Sequence, residues 1–514
     1  MHYKAIHADW EITMGCNMRC RHCGSSCSKP LAGQLDTKQA LRVCDEIGDL
    51  GLKHVTLTGG EPLIRHDWHL LVERLRKNGV IPKIMTNGWM LNQNNIDLGM
   101  GAGIDTFIVS IDGDRAVHDV IRRQGSYDRV VRAFHLMSEN GIRPEAITAV
   151  HKMNLSKLKE IRTVLQKFGV KTWHLQSAMP MGNLVHHSDK ILEPDQFGEV
   201  IDFIHESVVD QRMDVIPGHC FGYYGKKDME VRPRKSTFDD SQSWQGCDGG
   251  KRGFGILHNG DIVGCCYIRD KRFVEGNVEK TSLAEIWHSD ESFAWNRRAR
   301  GEKLPGLCGS CKYGDECLGG CTSLRLTMNG SVLSENRYCS YNQALFQAWQ
   351  KVERIRDVEL LTDMGMDYLE KEELQLAHMM FQKALEMCPD DLKLLGYYGY
   401  ASFLLHNFNA AREANEKILA MEPDNVYANE GLGVVLSRGG DLKHGIEFLC
   451  KAAKLTTPDY MAPWYDMAVL LAESGRLQPA LQVIQQAEKR SPGFKQKYLR
   501  GKLVPFHKNE NSAD

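Results

Sequence analysis

The sequence carries almost no net charge and no long apolar run, and each absence excludes a class of function. Lysine and arginine number 64 against 66 acidic residues, a formal charge of −2, and no basic stripe marks a nucleic-acid footprint. Met1 to Trp10 lacks a basic segment leading into an apolar one, and no later stretch approaches the roughly 20 apolar residues that span a bilayer. The expectation is a cytoplasmic protein with neither nucleic acid nor membrane as partner. With no export signal, the 16 cysteines are not read as disulfides, because cytosolic thiols are kept reduced. Their grouping points instead to metal or redox chemistry.

At 514 residues the chain is too long for one core, and three or so domains are expected. From Trp10 to about Gln176, short β-branched runs such as HVTLTG, IPKIMTNG and IDTFIVSIDG alternate with amphipathic stretches. That alternation predicts an α/β domain over 1–215, about six βα units forming a partial, TIM-like (β/α)6 barrel with functional loops at the strand carboxyl ends. From 216 to 345 the chain turns rich in glycine, cysteine and charge, with a hairpin signal at Asn259-Gly260 and little else resembling a packed core. Such a segment needs staples, and metal is the available one.

After a linker at 346–357, helical periodicity takes over. Pro389, Pro423, Pro458 and Pro492 recur at steps of 34, 35 and 34. Gly365 and Tyr368 precede Ala377, Phe381 and Ala384, and Trp464 precedes Ala480 and Ala487. This resembles the tetratricopeptide pattern, and four helix pairs of an all-α solenoid fit over 358–492; an irregular helical bundle is the alternative. A polar tail follows at 493–514.

After the first strand the chain reads Cys16-x3-Cys20-x2-Cys23. Three such thiolates can hold three irons of a 4Fe–4S cube and leave the fourth iron open to a small molecule; a zinc site would want a fourth ligand. This run resembles the signature of the radical S-adenosylmethionine (SAM) superfamily. The family usually has Tyr or Phe where His22 stands, and His22 is expected to pack similarly. The second strand ends in Gly59-Gly60-Glu61-Pro62, which the resemblance assigns to the amino group of SAM. Further strand ends, Asn87, Ser110 and Gln176 with Met181-Gly182-Asn183, are expected around its ribose, carboxylate and adenine. Asp112 is read as structural or substrate-facing, Cys27 as a bystander, and His118, Arg122 and Arg123 equally well as a solvated loop.

The remaining cysteines run Cys247, Cys265, then Cys308-x2-Cys311-x5-Cys317-x3-Cys321, then Cys339. The order resembles the SPASM domain of peptide and protein maturases, such as the anaerobic sulfatase-maturating and PQQ-synthesis enzymes. The resemblance implies one auxiliary 4Fe–4S cluster on Cys308, Cys311, Cys317 and Cys339. A second would sit on Cys247, Cys265 and Cys321, one ligand short; Cys220, then Cys266, are candidates for the fourth position, and an open iron is the third option. A zinc ribbon over Cys308–Cys321 would leave Cys247 and Cys265 unexplained.

The resemblance implies three 4Fe–4S clusters, SAM cleavage to a 5′-deoxyadenosyl radical, a flavodoxin- or ferredoxin-type electron donor, and hydrogen abstraction from a peptide or protein side chain, with the helical repeats presenting the target. The alternatives are a cofactor- or small-molecule-biosynthetic radical enzyme and a non-catalytic iron–sulfur scaffold. No catalytic acid or base is assigned.

Overall fold

The computed structural model describes residues 3–210, 212–218, 221, 227, 231, 246–298, 304–309, 311 and 313–498. Strands β1 (His7–Thr13), β2 (His54–Gly59), β3 (Ile81–Thr86), β4 (Thr106–Ser110), β5 (Glu145–Val150), β6 (Thr172–Ser177) and β7 (Asp214–Pro217) lie side by side in chain order, all parallel. Parallel neighbours require crossovers. Helices α1 (Thr37–Asp49), α2 (Trp68–Lys77), α3 (Gln93–Ala102), α4 (Arg115–Ile121), α5 (Ser126–Glu139), α6 (Leu158–Lys167) and α7 (Gln196–Asp210) supply them.

Local chemistry sets these elements. Helix α1 starts at a capping box between Asp36 and Gln39 and buries Ala40, Val43, Cys44 and Ile47, the spacing of one helical face. All five residues of β4 are buried, as in a parallel strand covered on both faces.

The segment after 246 differs from its sequence expectation. Strand β8 (Gly253–Ile256) pairs parallel with β1, and β9 (Asp261–Val263) and β10 (Val274–Asn277) continue antiparallel, giving a ten-stranded sheet. Gly260 turns the predicted hairpin at φ +84°. Phe254, Ile256, Ile262, Trp287 and Phe293 are buried in the same cluster as the β1–β7 core, so this stretch does have a packed core. The glycines that dilute its apolar content are what admit it: a Cβ on Gly253 would lie 2.2 Å from His7 Nε2.

By contact, the chain forms two compact units, 1–309 with 313–344, and 310–312 with 345–514. The second unit is helical: Val358–Glu370, Leu374–Met387, Leu392–Leu404, Phe408–Met421, Val426–Arg438, Leu442–Leu455, Ala462–Glu473 and Leu477–Arg490. Left-handed residues recur in its turns at Glu372, His406, Gly440 and Gly475. Lys417 Nζ and Lys451 Nζ donate to the carbonyls of Pro389 and Pro423, each at 2.6 Å. Both features repeat at the spacing of the prolines. No helix among the described residues is long and apolar enough to cross a membrane.

The small residues of the helical unit mark close packing. A Cβ at Gly365 would lie 2.4 Å from Phe381 Cε1, whereas one at Gly396 would meet nothing within 4 Å. Gly365→Val should therefore cost about 1–3 kcal/mol by overpacking, while Gly396→Ala should stabilise by about 0.5–1 kcal/mol through helix propensity. Thermal unfolding followed by circular dichroism should move in opposite directions for the two.

Candidate functional site

The loop carrying the first three cysteines is held by backbone bonds from distant segments. Cys16 N–H donates to Ser28 O at 2.9 Å and Arg21 N–H to Ile121 O at 2.8 Å. Asn183 donates from its backbone to Cys23 O and from its side chain to Cys20 O, both at 2.9 Å. Arg123 Nη1 donates to Asn17 O at 2.9 Å, its guanidinium lying 3.8 Å from the Trp89 ring centre. The ends of β1 and β2 then close on each other: Gly60 N–H donates to Thr13 O at 2.7 Å and Glu61 N–H to Gly15 O at 2.8 Å. A Cβ on Gly60 would lie 1.9 Å from Gly15 O. That glycine is required by strand-end packing before any ligand is considered.

A cavity of about 240 Å³ opens at these strand ends. Cys16, Cys20 and Cys23 line it, together with Gly59, Gly60, Asn87, Ser110, Gln176 and His22. Glu61 and Pro62 do not. The Glu61 carboxylate is wholly buried and accepts from Thr86 Oγ1 and Asn87 N at 2.8 Å and from Leu63 N at 3.2 Å. It ties the ends of β2 and β3 together, and burial pushes its carboxyl up to about 6. Pro62 starts the short turn that follows.

The thiols fit a site for positively charged metal. Burial pushes Cys20 up to about 12 and raises Cys16 as well, so both hold their protons until a cation compensates the thiolate; a hydrogen bond from Cys27 is the main reason Cys23 falls to about 5. Cys27 is buried within 3.6 Å of Gly59 O. Among the described residues no three His, Cys, Asp or Glu groups gather around the position of a single ion.

Beneath this loop lies a buried polar knot. The Asp112 carboxylate, fully inaccessible, accepts from Arg122 Nε, from His22 Nε2 at 3.0 Å and from Ala149 N at 2.9 Å. Its backbone N–H donates to His118 Nδ1 at 3.1 Å and its carbonyl accepts from Asn154 Nδ2 at 2.9 Å. Asp112 lies well below the usual carboxylate range because these charges and donors outweigh its burial. His118 is pushed down to about 4 by burial. The solvated-loop reading of His118, Arg122 and Arg123 is thus corrected: two serve the knot and Arg123 pins the cysteine loop. His118 lies on the buried side of α4 and Arg122 caps its end, while Arg123 stays exposed.

Three further groups at the cavity, Glu11, Arg269 and Tyr267, escaped the sequence reading. Glu11 on β1, nearly inaccessible, receives Arg269, whose Nη1 lies 2.8 Å from Glu11 Oε2 and whose Nη2 lies 2.7 Å from Ser25 Oγ. Tyr267 Oη donates to Gln176 Oε1 at 2.6 Å, and Cys266 lines the same cavity. The one available signal was the pair of charges, Asp9 and Glu11, inside the first strand.

In the middle segment, Cys247, Cys265 and Cys321 lie close enough to act electrostatically on one another. Cys308 Sγ accepts from Asn336 N at 3.3 Å and Asn342 Nδ2 at 3.2 Å. Buried Arg325 faces Cys247, Cys308, Cys317 and Cys321, a cation the sequence reading also missed. Cys339 is buried and Cys311 half-buried. Cys220 lies outside the described residues, and Cys266 lines the first cavity while Cys265 does not; the pair follows β9 in a turn and not on a strand.

Residues 10–165 match the model of the radical SAM superfamily, and residues 247–312 match that of an iron–sulfur cluster-binding domain, SPASM. The chain carries a radical SAM domain. An AdoMet-dependent heme synthase of Nitratidesulfovibrio vulgaris is 28% identical over 341 residues, 65% of this chain and 91% of the relative. The mycofactocin maturase MftC of Mycobacterium tuberculosis is 28% identical over 323 residues, 62% and 78% of the two chains. Streptococcus suis SuiB bound to its precursor peptide SuiA shares the fold at TM-score 0.52 and 16% identity, covering 65% of this chain and 75% of that one. The protein is an enzyme of radical SAM/SPASM type with a helical carboxyl-terminal region.

Because the radical SAM domain buries Asp112 against Arg122, Asp112→Asn leaves a buried guanidinium without its counter-charge and should cost about 3–5 kcal/mol. The depressed folded-state value stabilises above the ordinary carboxylate range and is lost as pH falls through it. Denaturant titrations should therefore show the wild-type advantage intact at pH 7 and shrinking only at strongly acid pH.

Proposed function

We propose that this enzyme removes a hydrogen atom from a side chain of a peptide or protein substrate and so modifies or crosslinks it. The observation that carries the reading is the single cavity in which three thiols from one loop face the carboxyl ends of five neighbouring strands. When bound, a 4Fe–4S cluster and SAM supply a 5′-deoxyadenosyl radical by reductive cleavage. Cys16, Cys20 and Cys23 would hold that cluster. Gly59, Gly60, Asn87, Ser110 and Gln176 would orient SAM, with His22 packing beside the cluster. Glu61 and Pro62 serve the same site by fixing the loop that presents Gly59 and Gly60. The walls position the reacting carbon and exclude water, which is the protein's share of radical chemistry.

The domain division that suits this chemistry is a partial (β/α)6 barrel over 1–215, a SPASM domain over 216–345, a linker at 346–357, tetratricopeptide repeats over 358–492 and a polar tail. Auxiliary 4Fe–4S clusters, three clusters in all, would use Cys308, Cys311, Cys317 and Cys339, and Cys247, Cys265 and Cys321 with Cys220 as fourth ligand. Arg325 would offset negative charge on both. A flavodoxin- or ferredoxin-type donor in the cytoplasm would supply electrons. The helical unit has a cleft of about 1010 Å³ lined by Tyr397, Tyr400, Tyr427, Tyr460 and Tyr465, a surface suited to an extended chain. SuiB, of the same fold, accommodates a precursor peptide. A second reading, a small-molecule or cofactor-biosynthetic enzyme, is favoured by the match along 91% of the heme synthase.

Anaerobically reconstituted enzyme should hold about twelve irons, and Cys16, Cys20 and Cys23 replaced together by alanine should leave about eight and abolish 5′-deoxyadenosine release. Iron near four with stoichiometric zinc would sink the auxiliary assignment. A chain ended after Val352 should still release 5′-deoxyadenosine yet modify its peptide with a raised KM, because remote binding energy has gone. An unaltered KM would remove the repeats from substrate recognition, and mass shifts confined to a small molecule would favour the second reading.

A further inference from the structure

Cys265 and Cys266 are neighbours in sequence yet serve different places. Cys265 lies with Cys247 and Cys321, while Cys266 lines the cavity shared by Cys16, Cys20, Cys23 and Ser110. The Cys266 thiol donates to Asp9 O at 3.4 Å. That contact holds the sulfur at the cavity wall. Arg269, which lines the same cavity, is engaged by Glu11 and Ser25. Room for the sulfur is built in: a Cβ on Gly255 would lie 2.7 Å from Cys266 Sγ. Cys27, the other extra thiol at the cavity, spends its S–H on Cys23 and Gly59.

We infer that Cys266 is the cavity's hydrogen-atom donor, giving its thiol hydrogen to a carbon radical formed there. The inference deepens the radical reading of this site and rests on it. In the step, the S–H bond breaks, a C–H bond forms, and a thiyl radical remains on Cys266. One electron from a low-potential one-electron reductant and one proton from water restore the thiol. The peptide bond to Cys265 gives this sulfur a short covalent connection to the Cys247, Cys265 and Cys321 group, so the residue lies where an electron from that group would arrive. A thiol donates hydrogen to a carbon radical readily because its S–H bond is weaker than the C–H bond formed. A serine hydroxyl, with a stronger bond, does not.

The test needs no knowledge of the substrate, because SAM itself is the probe. Full-length, anaerobically reconstituted enzyme is reduced with dithionite in deuterium oxide, without added thiols and without substrate, so that the thiol carries deuterium and backbone C–H groups do not. Wild-type enzyme should release 5′-deoxyadenosine bearing one deuterium. Cys266→Ser and Cys266→Ala should lose that label, and Cys388→Ala, at an exposed thiol of the helical unit, should keep it. Label retained in both Cys266 variants, or absent from wild type, overturns the inference while leaving the radical reading intact; no 5′-deoxyadenosine in any protein overturns both. Iron content and the paramagnetic signals of the clusters provide the second readout. Both should match wild type in Cys266→Ala, and loss of about four irons would make Cys266 a cluster ligand instead.

Discussion

One buried carboxylate governs how the site is assembled. Asp112 sits at the carboxyl end of β4 with no accessible surface, and an isolated ionised carboxylate there would be prohibitively costly. The cost is offset only when the guanidinium of Arg122 at the end of α4, the imidazole of His22 from the cysteine loop and the amide of Ala149 from β5 converge on its two oxygens. Three segments far apart in sequence must therefore meet at one point. The cysteine loop, which lacks secondary structure of its own, takes its position from that requirement and from the carbonyl contacts of Asn183.

The same device is repeated in the middle segment with different parts. Arg325 is buried, donates to the carbonyls of Ser334 and Leu318 at 3.1 and 3.3 Å, and faces four cysteines. Thiolate clusters carry net negative charge, and burying that charge needs a compensating cation nearby. Each thiol group thus has one arginine fixed by backbone or carboxylate oxygens before any metal is considered. Fixing it in advance avoids reorganisation when the charge on the site changes, which suits groups that exchange electrons.

Most of the architecture was legible because it rests on local rules: β-branched runs alternating with amphipathic stretches, the Asn259-Gly260 hairpin and a 34-residue step that reappears in the left-handed turns. Gly59, Gly60, Asn87, Ser110 and Gln176 were named from the sequence, and one cavity brings them together with Cys16, Cys20 and Cys23. What was not legible depends on tertiary closure. Gly253 and Gly255 read as dilution of a core and are instead the gaps into which β1 and Cys266 fit. Glu61 read as a ligand contact and is instead a crosslink, because nothing in a four-residue motif says which way a carboxylate turns. His118 and Arg122 fitted a solvated loop equally well by sequence, and the contacts to Asp112 decide for burial.

The departure at position 22 follows from this network. A phenylalanine or tyrosine before the third cysteine would pack beside a cluster but offer no nitrogen to Asp112. His22 meets the His151 ring edge-on at 5.9 Å between centres and gives Nε2 to the carboxylate. Its basic partner Arg122 also lies near Cys20 and Cys23. The imidazole therefore ties the cysteine loop to the floor of the strand ends, where Ala149 leads from β5 to His151. One buried carboxylate joins that loop to β4 and β5, and position 22 supplies the loop's side of the joint.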